Sequence, residues 1–289
     1  MEKFLRTKMK NFVLRNFQYV SDLHLEFRKK PVFWKTESDT LLLAGDIGNP
    51  FQEQYKYFLK YCSHKYTNVF LIAGNHEYWN PYGIHSTNDK IQEICNMYNI
   101  HFLNRNIIEM QNCSILGCTL WTHLKDINTN GDFKFIFNNG NRLTNKARNS
   151  LHTEDYNWIK SSLAKSSHSI QNKVEIQKQN KQNKQTQKET QTQTENKETQ
   201  ETQEKKMIFL THHLPTLKMC DNKYKAPEFK PFLNNYYNNM DNLIMPPITD
   251  WIGGHSHSKF STVFNSVNLR INAVGSREEF TVPVVHLKD

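Results

Sequence analysis

The sequence predicts an α/β fold in which β-sheets are layered and helices lie outside. Three observations predict it: short apolar runs with the length of strands alternate with amphipathic helical patterns, several runs lead directly into polar side chains, and a second group of strand-like runs follows later in the chain. Alternation of strands and helices is typical of α/β proteins, in which helices cover the faces of a sheet.

Five apolar runs have the length of buried strands, and each leads into acids, amides or imidazoles. The runs are Val13–Val20, Thr40–Ala44, Asn68–Ala73, Met207–Leu210 and Ile248–Ile252. They are followed by Ser21-Asp22-Leu23-His24, Gly45-Asp46, Gly74-Asn75-His76-Glu77, Thr211-His212-His213 and Gly253-Gly254-His255-Ser256-His257. Polar groups from five strands are therefore expected at strand ends.

Helical patterns lie between these runs. One covers Phe51–Tyr66, where Asn49 and Pro50 make a plausible N-cap and first-turn pair. Another covers Asp89–Tyr98, which places its apolar residues on one face. These residues are Ile91, Ile94, Cys95 and Tyr98. Both segments are expected to cover a sheet.

A second block of strand-like runs predicts a second sheet packed on the first. The runs are His101–Leu103, Ile107–Met110, Ser114–Leu120 and the valine-rich end from Val263 to Val285. Two stretches between the runs, Asn128–Asn149 and Asp221–Met245, are predicted to be loops or short helices, and either could form a lid.

The composition locates a segment outside the packed core. The chain has 289 residues, a net charge of +9 and 37% hydrophobic residues, below the roughly 45–50% of a typical globular chain. Between Gln171 and Lys206 only Val174 and Ile176 are apolar, too few to offset the entropy of ordering the backbone. We predict a single domain over 13–289, with a disordered Gln/Lys/Thr/Glu-rich insertion over 166–206. An insertion that binds a protein partner is the alternative.

Composition also argues against several classes of protein. No apolar run approaches the ~18–20 residues that span a bilayer, so no membrane association is expected. Five cysteines, an odd number without metal or redox spacing, favour a reducing compartment, and we expect a cytoplasmic location. The basic residues are scattered rather than interleaved with stacking aromatics, which argues against a nucleic-acid partner without excluding it. Solubility or an anionic substrate explains the charge equally well.

The oxygen and imidazole ligands at these strand ends match the needs of two adjacent divalent ions. Asp22 and His24 are two residues apart and would face the same side of a strict strand. Asp46 and Asn75 follow the next two runs. Two further histidine sites complete the set, His212-His213 and His255 with His257. Such a pair of ions needs one carboxylate that contacts both, with open positions for water and substrate. Structural zinc would favour cysteine, and no cysteine is placed for it.

The ordered motifs resemble the signature of the calcineurin-like metallophosphoesterases: Asp-x-His, Gly-Asp-x-x-Asp/Asn, Gly-Asn-His-Asp/Glu, His, and Gly-His-x-His. All five blocks occur in this order, and the resemblance extends from Tyr19 to His257 apart from the insertion. It implies a four-layer αββα sandwich of two mixed β-sheets flanked by helices, with a metal site at the strand ends. It also implies a metal-dependent phosphoesterase, a phosphoric mono- or diester hydrolase with a small phosphorylated substrate.

The resemblance further implies the roles of the site residues. Asp22, His24 and His257 would bind one metal, Asn75, His212 and His255 the other, and Asp46 would bridge them. His76 would stay off the metals and orient the phosphoryl oxygen or protonate the leaving group, with Glu77 or another acid fixing its ring. Imidazole, amide and carboxylate ligands together suit Mn²⁺, Fe²⁺ or Zn²⁺, so two divalent ions of this group are the expected cofactors.

The expected reaction follows from the charge of a phosphate ester, which repels hydroxide. Two cations lower the pKa of a shared water and neutralise the phosphoryl oxygens, so that a metal-bridged hydroxide attacks phosphorus in line with the leaving group. A cationic His76 beside the leaving oxygen would add about 10²–10⁴-fold as a general acid.

Two motif positions have alternative interpretations. Asn49 fills the last place of the Gly-Asp block, but with Pro50 after it we expect it to cap a helix rather than bind metal. In the run Thr211-His212-His213-Leu214-Pro215, alignment with the family through the proline favours His212 as the ligand and leaves His213 as a neighbouring or substrate-contacting residue.

Other polar residues could touch substrate without belonging to a motif. His123 follows a strand-like run, although a surface histidine near a packed tryptophan is the commoner case. Lys218, Lys223 and Lys225 could receive an anionic substrate, but a solvated loop explains them as well.

Departures from the family's protein serine/threonine phosphatases narrow the activity. Those enzymes carry Gly after Asp-x-His, and Arg within the Gly-Asp block and before Gly-Asn-His-Glu, whereas this chain has Leu25, Pro50 and Ala73. Without those arginines it lacks their bidentate phosphate clamp. The resemblance therefore favours the phosphohydrolase and phosphodiesterase branches with Gly-His-x-His. A non-catalytic protein-interaction scaffold on the same fold and a nuclease are the alternatives.

Overall fold

The computed structural model describes residues 6–8, 12–125, 131–165 and 205–287. Its strands are β1 (Arg6–Lys8), β2 (Asn16–Val20), β3 (Thr40–Ala44), β4 (Asn68–Ile72), β5 (His101–Phe102), β6 (Asn106–Glu109), β7 (Cys113–Cys118), β8 (Phe137–Asn138), β9 (Asn141–Arg142), β10 (Lys206–Thr211), β11 (Ile248–Gly253), β12 (Lys259–Phe264), β13 (Val267–Asn272) and β14 (Val284–His286). The helices are α1 (Glu53–Lys65), α2 (Ile84–Met97), α3 (Gly131–Phe135) and α4, whose described part covers 145–165. Short 3-10 helices lie at Leu25–Phe27, His76–Tyr78, Leu217–Met219, Asn222–Lys225, Pro227–Asn235 and Asp241–Leu243.

Two large mixed sheets organise these strands. A five-stranded sheet has the order β14-β2-β3-β4-β5, and a seven-stranded sheet has the order β1-β6-β7-β10-β11-β13-β12. The strands from β2 to β5 run parallel, with Gln18 opposite Leu41 and Leu41 opposite Val69, and β14 is antiparallel to β2. In the larger sheet β7, β10, β11 and β13 run parallel, and β6 and β12 are antiparallel to their neighbours β7 and β13.

Three apolar clusters stack the elements into helix, sheet, sheet and helix layers. Phe70 and Leu42 of one sheet meet Ile115 and Ile208 of the other in the central cluster. Residues of α1 and α2 pack on the outer face of the five-stranded sheet, and Trp158 of α4 packs on the outer face of the seven-stranded sheet. Because both faces of β3 and β4 are covered, these strands are buried along their length and apolar residues predominate in them without alternation. The predicted four-layer αββα sandwich is confirmed.

Several predicted boundaries were wrong. Helix α1 begins at Glu53 rather than Phe51, and Asn49 does not cap it, since its side-chain oxygen accepts a hydrogen bond from the Phe51 backbone N–H at 3.0 Å in a preceding turn. The predicted helix over Asp89–Tyr98 is the later part of α2, which starts at Ile84. Strand β2 begins at Asn16, where pairing with β14 begins, rather than at Val13.

The stretch Asn128–Asn149, predicted to be loop or short helices, contains α3, the β8–β9 hairpin and the start of α4. Asparagine is a poor helix former, so the asparagine-rich sequence does not indicate the start of α4. Packing of Trp158 and Ile159 stabilises this helix. The predicted insertion lies outside the described residues as far as residue 204, and its disorder and the single domain over 13–289 stay predictions. Among the described residues no helix is long and apolar enough to cross a membrane.

Candidate metal centre

Parallel strands carry the predicted site residues to one edge of the sandwich. Asp22, Asp46 and Asn75 follow the neighbouring strands β2, β3 and β4, while His212, His255 and His257 follow the neighbouring strands β10 and β11. Carboxyl ends of parallel strands meet at the same edge of a sheet. The two edges are tied together, because the His255 backbone N–H lies 3.0 and 3.1 Å from the two carboxylate oxygens of Asp22. All seven predicted ligands are therefore brought together.

The backbone at this edge is strained. Five of the seven predicted ligands are non-glycine residues with positive φ: Asp22 at 56°, His24 at 49°, Asp46 at 52°, His255 at 63° and His257 at 49°. This conformation costs free energy, and such residues cluster at functional sites. Asp22 and His24 are therefore not two positions of one strand, as their spacing suggested. They lie beyond the end of β2, where their backbone N–H groups donate to the carbonyls of Gly45 and Asp46 at 3.0 Å each.

Two motif glycines make room for the site. Gly45 has φ of 81°, and a Cβ added there would lie 2.8 Å from Nδ1 of His212. A Cβ on Gly74 would lie 2.6 Å from the backbone nitrogen of Asp46. Because real Cβ atoms do not approach other atoms so closely, only glycine fits at these two turns. The glycines of the Gly-Asp and Gly-Asn-His blocks therefore allow the turns after β3, β4 and β10 to approach one another closely.

The first group of candidate ligands is Asp22, His24 and His257, whose ligand atoms all lie within 4.8 Å of one another. Nε2 of His257 lies 3.4 Å from a carboxylate oxygen of Asp22 and 3.0 Å from Nε2 of His24. The side chain of His257 is 47% exposed, so this group reaches the surface. Two imidazole nitrogens that face each other beside a carboxylate fit a cation better than a hydrogen bond, so the donor set suits a metal.

The second group contains Asp46, His212 and His255, again within 4.8 Å. Nε2 of His212 lies 3.2 Å from Oδ2 of Asp46 and 3.1 Å from Oδ1 of Asn75. Nδ1 of His212 lies 2.9 Å from the Ala44 carbonyl oxygen and donates to it, which leaves Nε2 to face the ligands. His212 is fully buried. This second donor set also fits a metal of borderline softness.

Asp46 lies between the two groups. Its Oδ2 lies 3.8 Å from Nε2 of His24 and 3.2 Å from Nε2 of His212. Burial alone would raise the pKa of Asp46, but the charges of His212 and His76 hold it well below its ordinary value. This carboxylate is thus ionised and contacts ligands of both groups.

The imidazoles respond to this negative charge. Burial disfavours charge on His24, yet the hydrogen bond to Glu26 and the charge of Asp46 raise the pKa of His24 to about 9. Burial likewise opposes charge on His212, while the charge of Asp46 and the hydrogen bond to it raise its pKa to about 10. The carboxylates therefore favour positive charge at the positions where the metals would lie.

His76 lies beside both groups. A third set of ligating atoms within 4.8 Å joins it to His24 and Asp46, and its backbone N–H donates to Oδ1 of Asp46 at 2.8 Å. Its Nδ1 lies 3.0 Å from Oε1 of Glu26, whose same oxygen lies 3.2 Å from Nδ1 of His24. The ring of Trp79 stacks on that of His76 with 3.7 Å between centroids. An acid and an indole together fix this imidazole.

That acid is Glu26 rather than Glu77. The carboxylate of Glu77 is fully buried and accepts hydrogen bonds from backbone N–H groups. These belong to Gly74 at 2.7 Å, Asp46 at 2.9 Å, Ile47 at 2.7 Å and Gly48 at 3.4 Å. Burial and then the charge of Asp46 raise the pKa of Glu77 to about 7. Glu77 thus holds together the turns that follow β3 and β4.

Sequence reasoning missed a buried group behind Asn75. Oδ1 of Asp132 accepts hydrogen bonds from Nδ2 of Asn75 and Nε1 of Trp79, both at 2.9 Å, and its Oδ2 accepts one from Arg148 at 2.7 Å. Arg148 is fully buried and lies 3.4 Å from Nε2 of His213. Asp132 is 57 residues from Asn75 in a stretch predicted to be loops or short helices, and no motif singles it out.

Among the remaining candidates, His213 packs against a predicted ligand. The His213 ring is fully buried and packs against Trp121 and His255, with centroids 5.5 and 4.3 Å away. His123 is exposed and lines a cavity of about 330 Å³ to which none of the predicted ligands contributes. Lys218 forms an ion pair with Asp241. The side chains of Lys223 and Lys225 lie outside the described parts of the structure.

A cavity of about 770 Å³ opens beside the first ligand group. Its wall includes His24, His76 and His257, together with Phe27 and the segment 28–32. Substrate therefore has access to the centre from the side of His76.

Comparison with known proteins agrees with this geometry. The calcineurin-like phosphoesterase family model matches residues 16–259. The chain is 30% identical over 287 residues to the uncharacterized protein L509 of Acanthamoeba polyphaga mimivirus, with 92% of this chain and 93% of that protein covered.

A solved structure shows the same fold. The phosphopantetheinyl hydrolase of Mycobacterium tuberculosis superposes with a TM-score of 0.61 at 12% identity, covering 93% of this chain and 95% of that one. A putative 5′-nucleotidase of Staphylococcus aureus superposes with a TM-score of 0.44 at 11% identity, covering 91% of this chain and 48% of that one. With the family model matching most of its length, the chain belongs to the calcineurin-like phosphoesterase family and is a metal-dependent phosphoesterase.

Proposed function

We propose that the protein hydrolyses esters of a small phosphorylated substrate at a centre of two divalent cations, Mn²⁺, Fe²⁺ or Zn²⁺. Asp22, His24 and His257 would hold one cation, Asn75, His212 and His255 would hold the other, and Asp46 would be shared by the two groups. The observation that carries the proposal is the position of the buried Asp46 carboxylate between Nε2 of His24 and Nε2 of His212. One carboxylate between two imidazole-containing groups suits a pair of neighbouring ions.

The bound cations would supply a water of lowered pKa and neutralise the phosphoryl oxygens. The chain's own residues do the rest. Glu26 accepts a hydrogen bond from Nδ1 of His76 and fixes the orientation of its ring. His76 orients a phosphoryl oxygen, or donates the proton on its other ring nitrogen to the leaving oxygen. The substrate reaches His76 through the cavity that this residue lines. Asp46 accepts the His76 backbone N–H and holds this ring beside the ligands.

The test is hydrolysis of paired aryl phosphate mono- and diesters by the purified protein with added Mn²⁺, alongside a chelated sample. Asp46→Asn should abolish turnover and lower metal occupancy, because it removes the carboxylate that lies beside Nε2 of both His24 and His212. Asp39→Asn, an exposed aspartate at the other end of β3, is the matched control. Wild-type turnover retained by Asp46→Asn would contradict the proposal. The ratio of monoester to diester turnover indicates the substrate class.

The role of His76 has its own test, because its ring also belongs to a group of metal-ligating atoms. His76→Asn should leave two metals bound while slowing turnover by about 10²–10⁴-fold. Loss of a metal in this variant would instead make His76 a ligand.

A further inference from the structure

The cavity beside His76 is much larger than a phosphate group needs. Its volume is about 770 Å³, within the usual range of pockets that enclose drug-sized molecules. Phe27 lines this cavity beside the catalytic groups and is 67% exposed. Its ring centroid lies 6.0 Å from that of His76 and 6.1 Å from that of His24. A large exposed aromatic ring therefore lies where the leaving group would pass His76.

The same wall carries positive charge. Lys29 and Lys30 follow Phe27 by two and three residues, line the cavity and are exposed. Within the described residues neither ammonium group forms an ion pair. The acids of this cavity, Glu278 and Glu279, come from the segment after β13. An anionic group in the cavity would be attracted to the lysine wall and repelled by these acids.

Both features point to the same kind of leaving group. An exposed aromatic side chain next to basic residues binds a flat ring by stacking and an anion by charge, the combination that proteins use for nucleotides. We propose that the departing part of the substrate is nucleotide-like, with a planar base against Phe27 and a further phosphate toward Lys29 and Lys30. This inference rests on the phosphoesterase function proposed above and names the substrate class of the same site.

The test compares kcat/KM for three probes in the presence of Mn²⁺. Ribose 5-phosphate lacks both features, adenosine 5′-monophosphate adds the base, and adenosine 3′,5′-bisphosphate adds a second phosphate. We expect kcat/KM to rise about tenfold at each step. Phe27→Ala should remove most of the gain from the base, and Lys29→Ala with Lys30→Ala most of the gain from the second phosphate. Tyr82→Ala, an exposed aromatic that does not line the cavity, should preserve both ratios.

The outcomes separate this inference from the proposed function. Phenyl phosphate turnover with equal kcat/KM for all three probes would overturn the nucleotide subsite and leave the phosphoesterase function standing. If no ester is hydrolysed, calorimetric binding of adenosine 3′,5′-bisphosphate to the wild-type protein still tests the subsite, and binding that Phe27→Ala does not weaken would overturn it.

A different observation carries a second inference, about Asp132. Since Nδ2 of Asn75 donates to Asp132, Oδ1 of Asn75 must point the other way, toward Nε2 of His212 at 3.1 Å. The same Asp132 oxygen accepts a hydrogen bond from the indole of Trp79, whose ring stacks on His76. Arg148, fully buried, holds the second oxygen. One buried carboxylate thus contacts both a proposed metal ligand and the ring that packs on the proposed acid.

We infer that Asp132 is a positioning residue, which turns the oxygen of Asn75 toward the metal and fixes Trp79 behind His76. Residues that orient ligands typically change metal affinity by about 10–100-fold when replaced. Asp132→Asn should weaken binding of one Mn²⁺ by that factor. It should also make turnover more dependent on the pKa of the leaving group. Asp250→Asn is the matched control, because Asp250 is a buried partner of Arg270 at 2.8 Å that takes no part in the metal centre.

A double variant keeps this inference testable if Asp132→Asn is unstable. In Asn75→Asp with Asp132→Asn the donor and acceptor exchange places, so the hydrogen bond is kept and a carboxylate oxygen faces the metal. The pair should recover metal affinity that Asp132→Asn loses, a coupling that double-mutant cycles measure. Metal affinity equal to wild type in Asp132→Asn, or equal losses in Asp132→Asn and Asp250→Asn, would overturn it.

Discussion

The two ligand groups of the centre differ in how the fold surrounds them. The group of Asp22, His24 and His257, here called the open group, lies beside a cavity of about 770 Å³, and the side chain of His257 is 47% exposed. The group of Asn75, His212 and His255, the closed group, rests on side chains buried behind it. These are Asp132, Arg148 and His213.

The difference indicates separate tasks for the two groups. Ligands held by buried hydrogen bonds are oriented before a metal binds, so the closed group should hold its ion tightly. An exposed ligand next to a cavity leaves positions for water and substrate, which a catalytic ion needs. We therefore expect the closed group to hold its ion more tightly, and the open group to exchange metal and admit substrate.

The largest expected effect comes from His212→Ala in the closed group. It removes an imidazole whose Nε2 faces Asp46 and Asn75 at 3.2 and 3.1 Å. We expect metal affinity and kcat to fall by more than about 100-fold, since replacing even an outer partner of a ligand costs up to that much. Metal content by plasma emission and turnover of an aryl phosphate measure the two effects.

The neighbouring His213 provides the control for this change. Both imidazoles are fully buried, so His213→Ala should lower the free energy of unfolding by about 1–3 kcal/mol but retain both metals. If His213→Ala loses a metal while His212→Ala retains both, the predicted choice between the two histidines is wrong.

In the open group, His257→Ala should have a smaller and more selective effect. The His257 side chain is 47% exposed, against 8% for His24 and 0% for His212. The closed group does not depend on it. We expect the protein to keep one tightly bound metal, to lose the other, and to lose most of its turnover. Loss of both metals would show that the two groups do not bind metal independently. It would contradict the difference between a tightly held metal in the closed group and an exchangeable one in the open group.

Metal removal compares the two groups in the unaltered protein. After addition of a chromogenic chelator to the metal-loaded protein, release should occur in two phases of about one equivalent each. The second phase should be at least about tenfold slower, because the buried closed group must open locally to release its ion. A single phase for both equivalents would contradict the difference between the groups.

Sequence and structure agree best where the chemistry lies at the ends of apolar runs. The positions of Asp22, Asp46, Asn75 and His212 could be predicted because each lies within three residues of the end of a buried parallel strand. Their local conformation could not be predicted, since the positive φ of Asp22 and Asp46 depends on pairing between turns of different strands.

The supporting residues could not be predicted for a related reason. Asp132 meets Asn75 across 57 residues and Glu26 meets His76 across 50, so their contacts depend on how α3 and the 3-10 helix after β2 pack, not on spacing. Glu26 could have been considered, because it lies two residues beyond His24, where the first motif ends. Nothing in the asparagine-rich stretch, predicted to be loops or short helices, indicated Asp132.

The smallest effect expected is that of Glu26→Gln, because Glu26 contacts His24 of the open group and His76. Oε1 of Glu26 lies 3.2 Å from Nδ1 of His24 and 3.0 Å from Nδ1 of His76. Glutamine keeps one acceptor but loses the charge, so it orients both rings less firmly. We expect binding of the more weakly held Mn²⁺ to fall by about tenfold and the tightly held one to be unaffected.

The same change should alter the reaction with poor leaving groups more than with good ones, because a less firmly oriented His76 donates a proton to the leaving oxygen less effectively. Turnover of a series of aryl phosphates should therefore depend more steeply on the pKa of the phenol in Glu26→Gln than in the wild type. Glu37→Gln, a partly exposed acid paired with Lys35, is the control and should match the wild type. If the slope is unchanged while metal binding is weakened, Glu26 affects His24 but not His76. Trp79 and the backbone would then orient His76.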